Sequence, residues 1–244
     1  MKIFEVENKV CVITGAGSGI GLNLAKSLYD LDAFVVGLDV KFDSPSKPGF
    51  KKIKIDLQNA KDIEEVTKSI VSYYKKVDVL INCAGVTIPS EKEYRLIDWK
   101  TTFDVNVTAP FLLMKHFKEG LKQSDSPSVI NITSLNAKLA FPNNPAYVAS
   151  KSALAGLTRS FALDYGKLGI RVNNVAPGYI KTDMTGESWT DESKRKKRQE
   201  RTMLGRWGNV QDLVGPVVFL ASDASSYITG QTIYVDGGWS VKGF

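Results

Sequence analysis

Short apolar runs alternate with amphipathic segments along the chain. Runs such as "KVCVITG", "AFVVGLD" and "VDVLINCAG" are rich in Val and Ile, and the segments after them, such as "GIGLNLAKSLYDL", repeat apolar residues at helical spacing. The alternation continues through "KKIKIDL", "SVINITS", "IRVNNVAPG" and "QTIYVDGG". Strands that are apolar on both faces are typical of parallel sheets covered by helices. We therefore predict an α/β fold: a doubly wound parallel sheet of about seven strands with helices on both faces.

The regular alternation also bears on domain organisation. The chain has 244 residues and contains no linker, repeat or low-complexity segment, so we predict a single domain over residues 1–244. One region departs from the strand rhythm, a charged helical stretch over about residues 179–207. Its length is sufficient for a small lid over a binding site.

Charge and composition exclude several classes of protein. The formal net charge is +6, but the run "KRKKR" at residues 194–198 supplies five positive charges, so the rest of the surface is nearly balanced. We therefore expect no nucleic-acid partner. Apolar runs such as "PVVFLA" are too short to span a bilayer, so we expect no membrane association. The N-terminal "MKIFEVENK" lacks the apolar stretch of a secretory signal, which predicts a cytoplasmic protein.

Few residues are available for metal or nucleophilic chemistry. Cys11 and Cys83 stand in apolar stretches without metal-ligand spacing, and His116 is the only histidine. We expect reduced thiols, no disulfide and no metal. A Ser-His-Asp hydrolase is disfavoured because no nucleophile motif accompanies His116.

The first strand runs into the glycine-rich turn "TGAGSGIG" at residues 14–21. It is not a P-loop, because no Lys-Ser/Thr pair follows, and Ile20 replaces the third glycine of a strict G-x-G-x-x-G motif. Gly15, Gly19 and Gly21 still permit a tight turn and a close backbone approach at a helix N-terminus, which suits a pyrophosphate. A glycine-rich turn without a ligand is the alternative.

An acidic residue follows at the spacing that a dinucleotide fold uses. Asp39 ends the run "AFVVGLD", 18 residues after Gly21. A carboxylate there accepts hydrogen bonds from the adenosine ribose and repels a 2′-phosphate, which favours NAD over NADP. Lys41, two residues on, keeps NADP open, and a simple turn residue is the other reading of Asp39.

The segment "YVASK" places a phenol and an ammonium four residues apart. On a helix Tyr147 and Lys151 share one face. A neighbouring ammonium favours the phenolate, so we predict that Lys151, together with the positive ring of a bound oxidised nicotinamide, lowers the pKa of Tyr147 and makes it a usable base. The alternative is an ordinary helix with a packed tyrosine and a solvated lysine.

Together and in order, these motifs resemble those of the short-chain dehydrogenase/reductase family. The resemblance covers residues 9–238 and also rests on "NCAG", "DVNVTAPF", "INITS", "APGYIKT" and the ending "GRWG…YITGQTIYVDGG". It departs at Cys83, because the family usually reads "NNAG". The resemblance implies a single-domain Rossmann-like fold and NAD(P)-linked interconversion of an alcohol and a carbonyl group. It also implies a homotetramer, or a dimer, built on long helices and the last strand.

The resemblance implies a catalytic set of Asn106, Ser134, Tyr147 and Lys151. Tyr147 would take the hydroxyl proton while Ser134 hydrogen-bonds the same oxygen. Lys151 would also bind the nicotinamide ribose, and Asn106 would hold a water that links Lys151 to solvent.

The cofactor expected from the resemblance and from Asp39 is NAD, with NADP less favoured. Asp56 would accept from the adenine amine, and the segment after residue 176 would close over the carboxamide. The full set of expected cofactor-binding residues is Gly15, Ser18, Gly19, Ile20, Gly21, Asp39, Asp56, Leu57, Asn82, Ala84, Gly85, Tyr147, Lys151, Pro177, Gly178, Ile180 and Thr182.

The polarity of the residues expected around the substrate narrows the range of possible substrates. These residues are Asn136, Lys138, Asn144 and Met184. They suit a small hydroxylated molecule, and the motifs resemble most the sugar-acid and polyol dehydrogenases, such as gluconate and deoxygluconate dehydrogenases. The basic run would either attract a substrate carboxylate or phosphate or form a solvated helix face. One alternative function is a 3-oxoacyl-carrier-protein reductase that uses NADPH. Another is a non-catalytic dinucleotide-binding sensor or assembly subunit.

Overall fold

Seven parallel strands form one sheet in the computed structural model, which describes residues 2–243. Their order across the sheet is β3-β2-β1-β4-β5-β6-β7, which confirms the predicted doubly wound sheet of about seven strands. The strands are β1 (Val10–Thr14), β2 (Phe34–Asp39), β3 (Phe50–Lys54), β4 (Val79–Asn82), β5 (Ser128–Ile132), β6 (Arg171–Pro177) and β7 (Thr232–Val235).

Helices cover both faces of this sheet, because the central strands are buried on both sides along their whole length. On one face α1 and α8 pack against the strands, and on the other α2, α4 and α5 do so. The helices are α1 (Gly19–Asp30), α2 (Ala60–Tyr74), α3 (Leu96–Phe103), α4 (Ala109–Leu121), α5 (Pro145–Gly166), α6 (Gly186–Thr190), α7 (Glu192–Arg201) and α8 (Val214–Ala221). None of the helices in residues 2–243 is both long and apolar enough to cross a membrane.

The strand order reverses between β1 and β4. The chain builds β1, β2 and β3 outward in one direction, and then returns to place β4 on the other side of β1. Connections on either side of such a reversal leave the sheet in opposite directions, so a crevice opens at the carboxyl ends of the two strands. The glycine turn after β1 and the segment "NCAG" at the end of β4 therefore meet at this crevice.

A buried polar ladder crosses the sheet beneath the crevice, which the apolar strand pattern did not predict. Asn82 Nδ2 donates to Asn131 Oδ1 at 2.7 Å, and Asn131 Nδ2 donates to Thr158 Oγ1 at 2.8 Å. Thr158 in turn donates to Asn174 Oδ1, and Asn174 Nδ2 reaches Thr232 Oγ1 at 3.0 Å. Buried amides require such partners. The ladder fixes α5 against β4, β5, β6 and β7.

Residues 179–207 contain α6 and α7 and leave the sheet after β6, as the charge pattern predicted. Asp191 begins α7 by accepting a hydrogen bond from Lys194 N at 2.9 Å. The basic run therefore lies on a helix with two faces, one toward solvent and the other toward the carboxyl edge of the sheet.

Candidate active site

The glycine turn joins β1 to α1 in a conformation that only glycine adopts easily. Gly15 has a φ of +70°, and a Cβ there would lie 2.9 Å from the backbone N of Ala84. Ser18 precedes α1, and its side chain makes no capping hydrogen bond with any residue in 2–243. The free N–H groups of the first helical turn and the Ser18 hydroxyl are thus available to an anion, as a pyrophosphate site requires.

Asp39 is held in place at the end of β2. Its Oδ2 accepts from Gly17 N at 2.8 Å, and its Oδ1 accepts from Lys41 N at 3.2 Å. Lys41 itself points its ammonium toward Asp43, with 3.2 Å between Nζ and Oδ1. The carboxylate is therefore fixed at the cavity wall, and the nearest lysine is already engaged with another acid.

A cavity of about 440 Å³ lies along the carboxyl ends of β1, β2, β3 and β4. Eleven of the residues expected at the cofactor line it, from both the phosphate turn and the adenosine side: Gly15, Ser18, Gly19, Ile20, Gly21, Asp39, Asp56, Leu57, Ala84, Gly85 and Thr182. The sequence did not single out Val40, Gln58, Val86, Val105 or Asp183, which also line it. These residues follow the recognised strand ends or come from loops, so no motif marked them.

Asn82 is expected at the cofactor, but its side chain does not line this cavity. Its side chain lies behind the cavity wall, is 2% exposed, and donates to Asn131 in the polar ladder. Its Oδ1 has no hydrogen-bond partner within residues 2–243. The amide points into the sheet because it ends a buried strand, so its contribution is to position the turn that follows.

A second cavity of about 340 Å³ continues the first toward β5 and β6. Both cavities share Ile20, Cys83, Gly85, Thr182 and Met184, so they form one cleft with two halves. The second half contains the expected residues Ser134, Tyr147, Lys151, Pro177, Gly178 and Ile180. One wall of it therefore combines the residues that the sequence assigned to catalysis with those assigned to the nicotinamide end.

Tyr147 and Lys151 face the same space, as their helical spacing predicts. Lys151 Nζ lies 5.6 Å from the centre of the Tyr147 ring and donates to Ile132 O at 2.8 Å. Ser134 comes two residues after that carbonyl, and its Oγ donates to Asn136 Oδ1 at 3.0 Å while accepting from Asn136 N at 3.2 Å. The ammonium and the hydroxyl are thus anchored near the end of β5, on the same side as the Tyr147 ring.

Burial controls the proton affinities of these groups. Desolvation raises the pKa of Tyr147 to about 12, although the Ser134 hydroxyl lowers it in part as a hydrogen-bond partner. Desolvation also lowers the pKa of Lys151 to about 8. In the protein by itself, the loss of water around the phenol is therefore the largest effect on the pKa of Tyr147, and the lowering expected from Lys151 and a bound nicotinamide stays a prediction. A second positive charge beside the phenol would shift the balance toward phenolate.

Asn106 lies in a π-helical turn, Asp104–Thr108, between α3 and α4. It is fully buried: its Nδ2 donates to Val86 O at 2.9 Å and Ser150 Oγ at 3.0 Å, and its Oδ1 accepts from Val86 N at 2.8 Å. A Cβ on Gly85 would lie 3.4 Å from both Asn106 Oδ1 and Lys151 Nζ. Asn106 therefore borders Lys151, but its amide is largely occupied by the backbone of residue 86.

Cys83, the departure from the family pattern, adds no reactive group. It lies where the two halves of the cleft meet. Desolvation raises the pKa of its thiol to about 12 although the side chain is only partly buried. A thiol in that state is a poor nucleophile at neutral pH.

Of the residues expected around the substrate, Asn136, Asn144 and Met184 line the second half of the cleft. Lys138 does not, and that expectation is wrong: its side chain is exposed, with Nζ 5.4 Å from the centre of the Tyr234 ring. The turn after Ser134 rotates it outward. Sequence analysis did not single out Thr87, Phe141 or Ser188, which also line this half, whereas Arg198, which lines it too, belongs to the basic run.

Comparison with known proteins places the chain in a family. A family model described as enoyl-(acyl carrier protein) reductase matches residues 15–240. The chain belongs to the short-chain dehydrogenase/reductase family, and it is an NAD(P)-dependent oxidoreductase that acts on CH–OH groups.

Individual relatives cover almost the whole chain. The 2-dehydro-3-deoxy-D-gluconate 5-dehydrogenase of Escherichia coli strain K12 is 34% identical over an alignment of length 254, gaps included. The alignment covers 99% of this chain and 99% of that protein. The ligand-free aldohexose dehydrogenase of Thermoplasma acidophilum has a TM-score of 0.92 at 31% identity, covering 99% and 97% of the two chains. The gluconate 5-dehydrogenase of Burkholderia cenocepacia J2315, in complex with NADP and tartrate, also has a TM-score of 0.92, at 28% identity over 99% of each chain.

Proposed function

We propose that the protein interconverts a secondary alcohol and a carbonyl group on a sugar acid. The observation that carries the proposal is the convergence of Ser134, Tyr147 and Lys151 on one wall of a small cavity that continues the dinucleotide half of the cleft. Two of the three relatives are named for gluconate derivatives. The polar side chains of Asn136 and Asn144 in its lining support a hydroxylated substrate.

The residues present fit a nicotinamide dinucleotide. The positive φ of Gly15 and the uncapped start of α1 suit a pyrophosphate, and the fixed carboxylate of Asp39 suits a ribose. When bound, the nicotinamide ring supplies hydride transfer. All other roles in the reaction belong to side chains of this protein.

Tyr147 exchanges a proton with the substrate oxygen, as a base in oxidation and as an acid in reduction. Ser134 orients that oxygen, since its hydroxyl lies beside the phenol at the end of β5. Lys151 is buried within reach of the Tyr147 ring, so its charge favours the phenolate once the phenol loses its proton. Asn106 fixes the position of the loop at residue 86, and any water that it holds must use an atom other than its amide nitrogen.

We propose that NAD is the preferred nucleotide, on the basis of Asp39. NADP is the second candidate, because the Burkholderia relative is described with NADP and Lys41 lies two residues from Asp39. Replacing Asp39 with Ser removes the charge that opposes a 2′-phosphate. We expect the ratio of kcat/KM for NADP to that for NAD to rise roughly 10- to 100-fold, measured by the absorbance of the reduced nucleotide.

The matched control for this change is Asp30→Ser. Asp30 is an exposed aspartate at the end of α1, just before β2 begins, whereas Asp39 lies at the other end of that strand. This control variant is expected to leave the NADP to NAD ratio unchanged. If the wild-type enzyme already prefers NADP, Asp39 is not the residue that excludes the 2′-phosphate.

The substrate class is tested by a turnover screen with both nucleotides. We expect oxidation of aldonic and deoxyaldonic acids to be fastest, followed by hexitols. Fast NADPH-dependent reduction of β-keto esters, with no turnover of sugar acids, would instead support the 3-oxoacyl-carrier-protein reductase function.

We further propose that the chain is one domain over residues 1–244 and that residues 179–207 form a lid. Support comes from Ser188 on α6 and Arg198 on α7, which line the substrate half of the cleft. Limited proteolysis tests both points: cleavage should occur first within 179–207 and should slow when nucleotide and substrate are present. Initial cleavage elsewhere would contradict the lid.

A homotetramer is our proposal for the assembly. Large apolar side chains are exposed on α3 (Leu96, Ile97), on α5 (Leu163, 79% exposed) and on β7 (Tyr234), and such clustering on a single chain suits burial against other copies. Sedimentation should give four times the mass of one chain. A monomer would reject the proposal.

We also propose a cytoplasmic location. Cys11 and Cys83 are both unbridged, which suits a reducing compartment. Detection of the protein mainly outside the cytoplasm after cell fractionation would contradict this location.

A further inference from the structure

The basic run on α7 divides into an outer and an inner face. Lys196 and Lys197 are exposed, whereas Lys194 pairs with Glu187 at 2.7 Å between Nζ and Oε1. Arg198 turns inward and lines the substrate half of the cleft together with Tyr147. The run therefore does not act as a uniform solvated helix face, because one of its charges enters the candidate active site.

The guanidinium of Arg198 is positioned but has no polar partner. Its Cζ lies 4.6 Å from the centre of the Tyr179 ring. Its Nε is buried without a hydrogen-bond partner, and neither a hydrogen bond nor a salt bridge from this side chain is present within residues 2–243. Burial of part of a charged group without a partner is unfavourable. The arrangement is therefore suited to an anion that enters the cleft.

An aromatic cluster holds this part of α7 in place. Tyr179, Trp189, Trp207 and Trp239 pack with ring centres 5.0 to 5.3 Å apart. Arg195, one turn before Arg198, donates to Trp189 O at 3.3 Å and accepts at its own carbonyl from Trp207 Nε1 at 3.1 Å. The helix cannot rotate without breaking these contacts, so Arg198 is directed into the cleft by its surroundings.

Few other charges line the substrate half. Lys151 lies at the inner wall, Arg198 lies on the lid, and the one acid among the lining residues of this described cavity is Glu187. Glu187 is paired with Lys194, and its side chain is 87% exposed. Two cations at separate positions thus face a cavity of about 340 Å³, which is near the lower end of the usual range for small-molecule sites.

We propose that Arg198 is a specificity-determining residue that binds the substrate carboxylate, which places the reacting carbinol carbon between Tyr147 and Ser134. The inference rests on the proposed function and adds a recognition residue to it. Arginine suits this role because its planar fork donates two parallel hydrogen bonds to a carboxylate. A single lining guanidinium on the lid favours one carboxylate over a phosphate, which would carry more charge than it can balance.

The first test compares a charged and a neutral substrate of the same length. We expect Arg198→Gln to lower kcat/KM for an aldonate such as D-gluconate roughly 10- to 100-fold, mainly through KM, as expected for loss of a charge-assisted contact. Its kcat/KM for the matched hexitol D-glucitol should change by less than about threefold. Arg198→Lys should recover part of the aldonate activity, since it restores charge without the fork.

Lys197→Gln is the matched control, because it removes one positive charge from the exposed face of the same helix. It should leave the aldonate to hexitol ratio unchanged, whereas an equal loss in both lysine and arginine variants would mean that α7 acts only by its overall charge. An equal loss on both substrates in Arg198→Gln, or none on either, would overturn the proposal. Thermal unfolding of each variant identifies any general loss of structure.

Calorimetric titration separates failure of this inference from failure of the proposed function. D-gluconate and D-glucitol are titrated into the protein saturated with NAD. Gluconate binding that is weakened by Arg198→Gln, without turnover in the wild type, supports the carboxylate site and rejects sugar acids as substrates. Turnover of gluconate that is insensitive to residue 198 retains the function and rejects the site. Absence of both binding and turnover rejects both.

Discussion

Replacing Tyr147 with Phe is expected to lower kcat by about 10²- to 10⁴-fold, the usual contribution of a positioned acid or base. The phenylalanine ring keeps the packing of Tyr147 on α5 but removes the hydroxyl that is proposed to exchange a proton with the substrate oxygen. The dissociation constant for NAD should remain within about twofold, because the dinucleotide half of the cleft lies on other strands. Stopped-assay turnover and quenching of intrinsic fluorescence by NAD measure the two quantities.

Tyr73→Phe is the matched control, since Tyr73 is an exposed tyrosine on α2 away from the cleft. It should retain full activity. If Tyr147→Phe kept more than about a tenth of wild-type turnover, the phenol would not be the proton-transfer group. The high pKa that burial gives Tyr147 would then have no part in catalysis.

Replacing Lys151 with Met is expected to abolish most turnover and at the same time to stabilise the fold. Desolvation lowers the pKa of Lys151 from 10.5 to about 8, a difference of 2.5 units that corresponds to about 3 kcal/mol. Below pH 8 both the folded and the unfolded states carry the proton, so the folded state bears the full penalty of the buried ammonium. Between the two pKa values only the unfolded state binds the proton, so wild-type stability rises with pH in that window.

At neutral pH the Met variant escapes this penalty but loses the hydrogen bond to Ile132, which contributes about 1 kcal/mol. We expect a net gain of about 2 kcal/mol in the free energy of unfolding, which should diminish as pH rises from 8 to 10.5. Urea denaturation at several pH values measures it. Lys26→Met, at an exposed position on α1, should show no such gain. A destabilised Met variant at neutral pH would contradict the unfavourable burial of Lys151.

The strands and the candidate catalytic groups were predictable because they depend on local sequence patterns. Apolar runs predicted every strand, and helical spacing placed Tyr147 and Lys151 on one face. The partners of buried polar residues were not predictable in this way. Asn131 and Thr158 lie 27 positions apart and contact each other only because β5 and α5 pack together.

The same reason explains the error at Lys138 and why the sequence did not show which residue of the basic run faces the cleft. The direction of a side chain in a short turn, or on one face of a lid helix, depends on what the rest of the fold places beside it. Arg195 and Arg198 are one helical turn apart, and the surrounding tryptophans are a sequence signal for an inward face. That signal is weak until α7 is located against Tyr179 and Trp207. The rise in the pKa of Tyr147 on burial was not predictable either, because burial cannot be read from a pair of residues.

The π-helical turn at Asp104–Thr108 constrains the number of residues between α3 and α4 more strictly than it constrains their identity. Each residue of an α-helix advances the side chains by about 100° around the axis. Deletion of one residue from this turn would restore ordinary helical winding and swing Asn106 away from the loop at residue 86, while α3 and α4 could both survive. The segment between these helices should therefore accept many substitutions on its outer side but almost no change in how many residues it contains. Insertions and deletions there, rather than point mutations, are the changes that inactivate the enzyme.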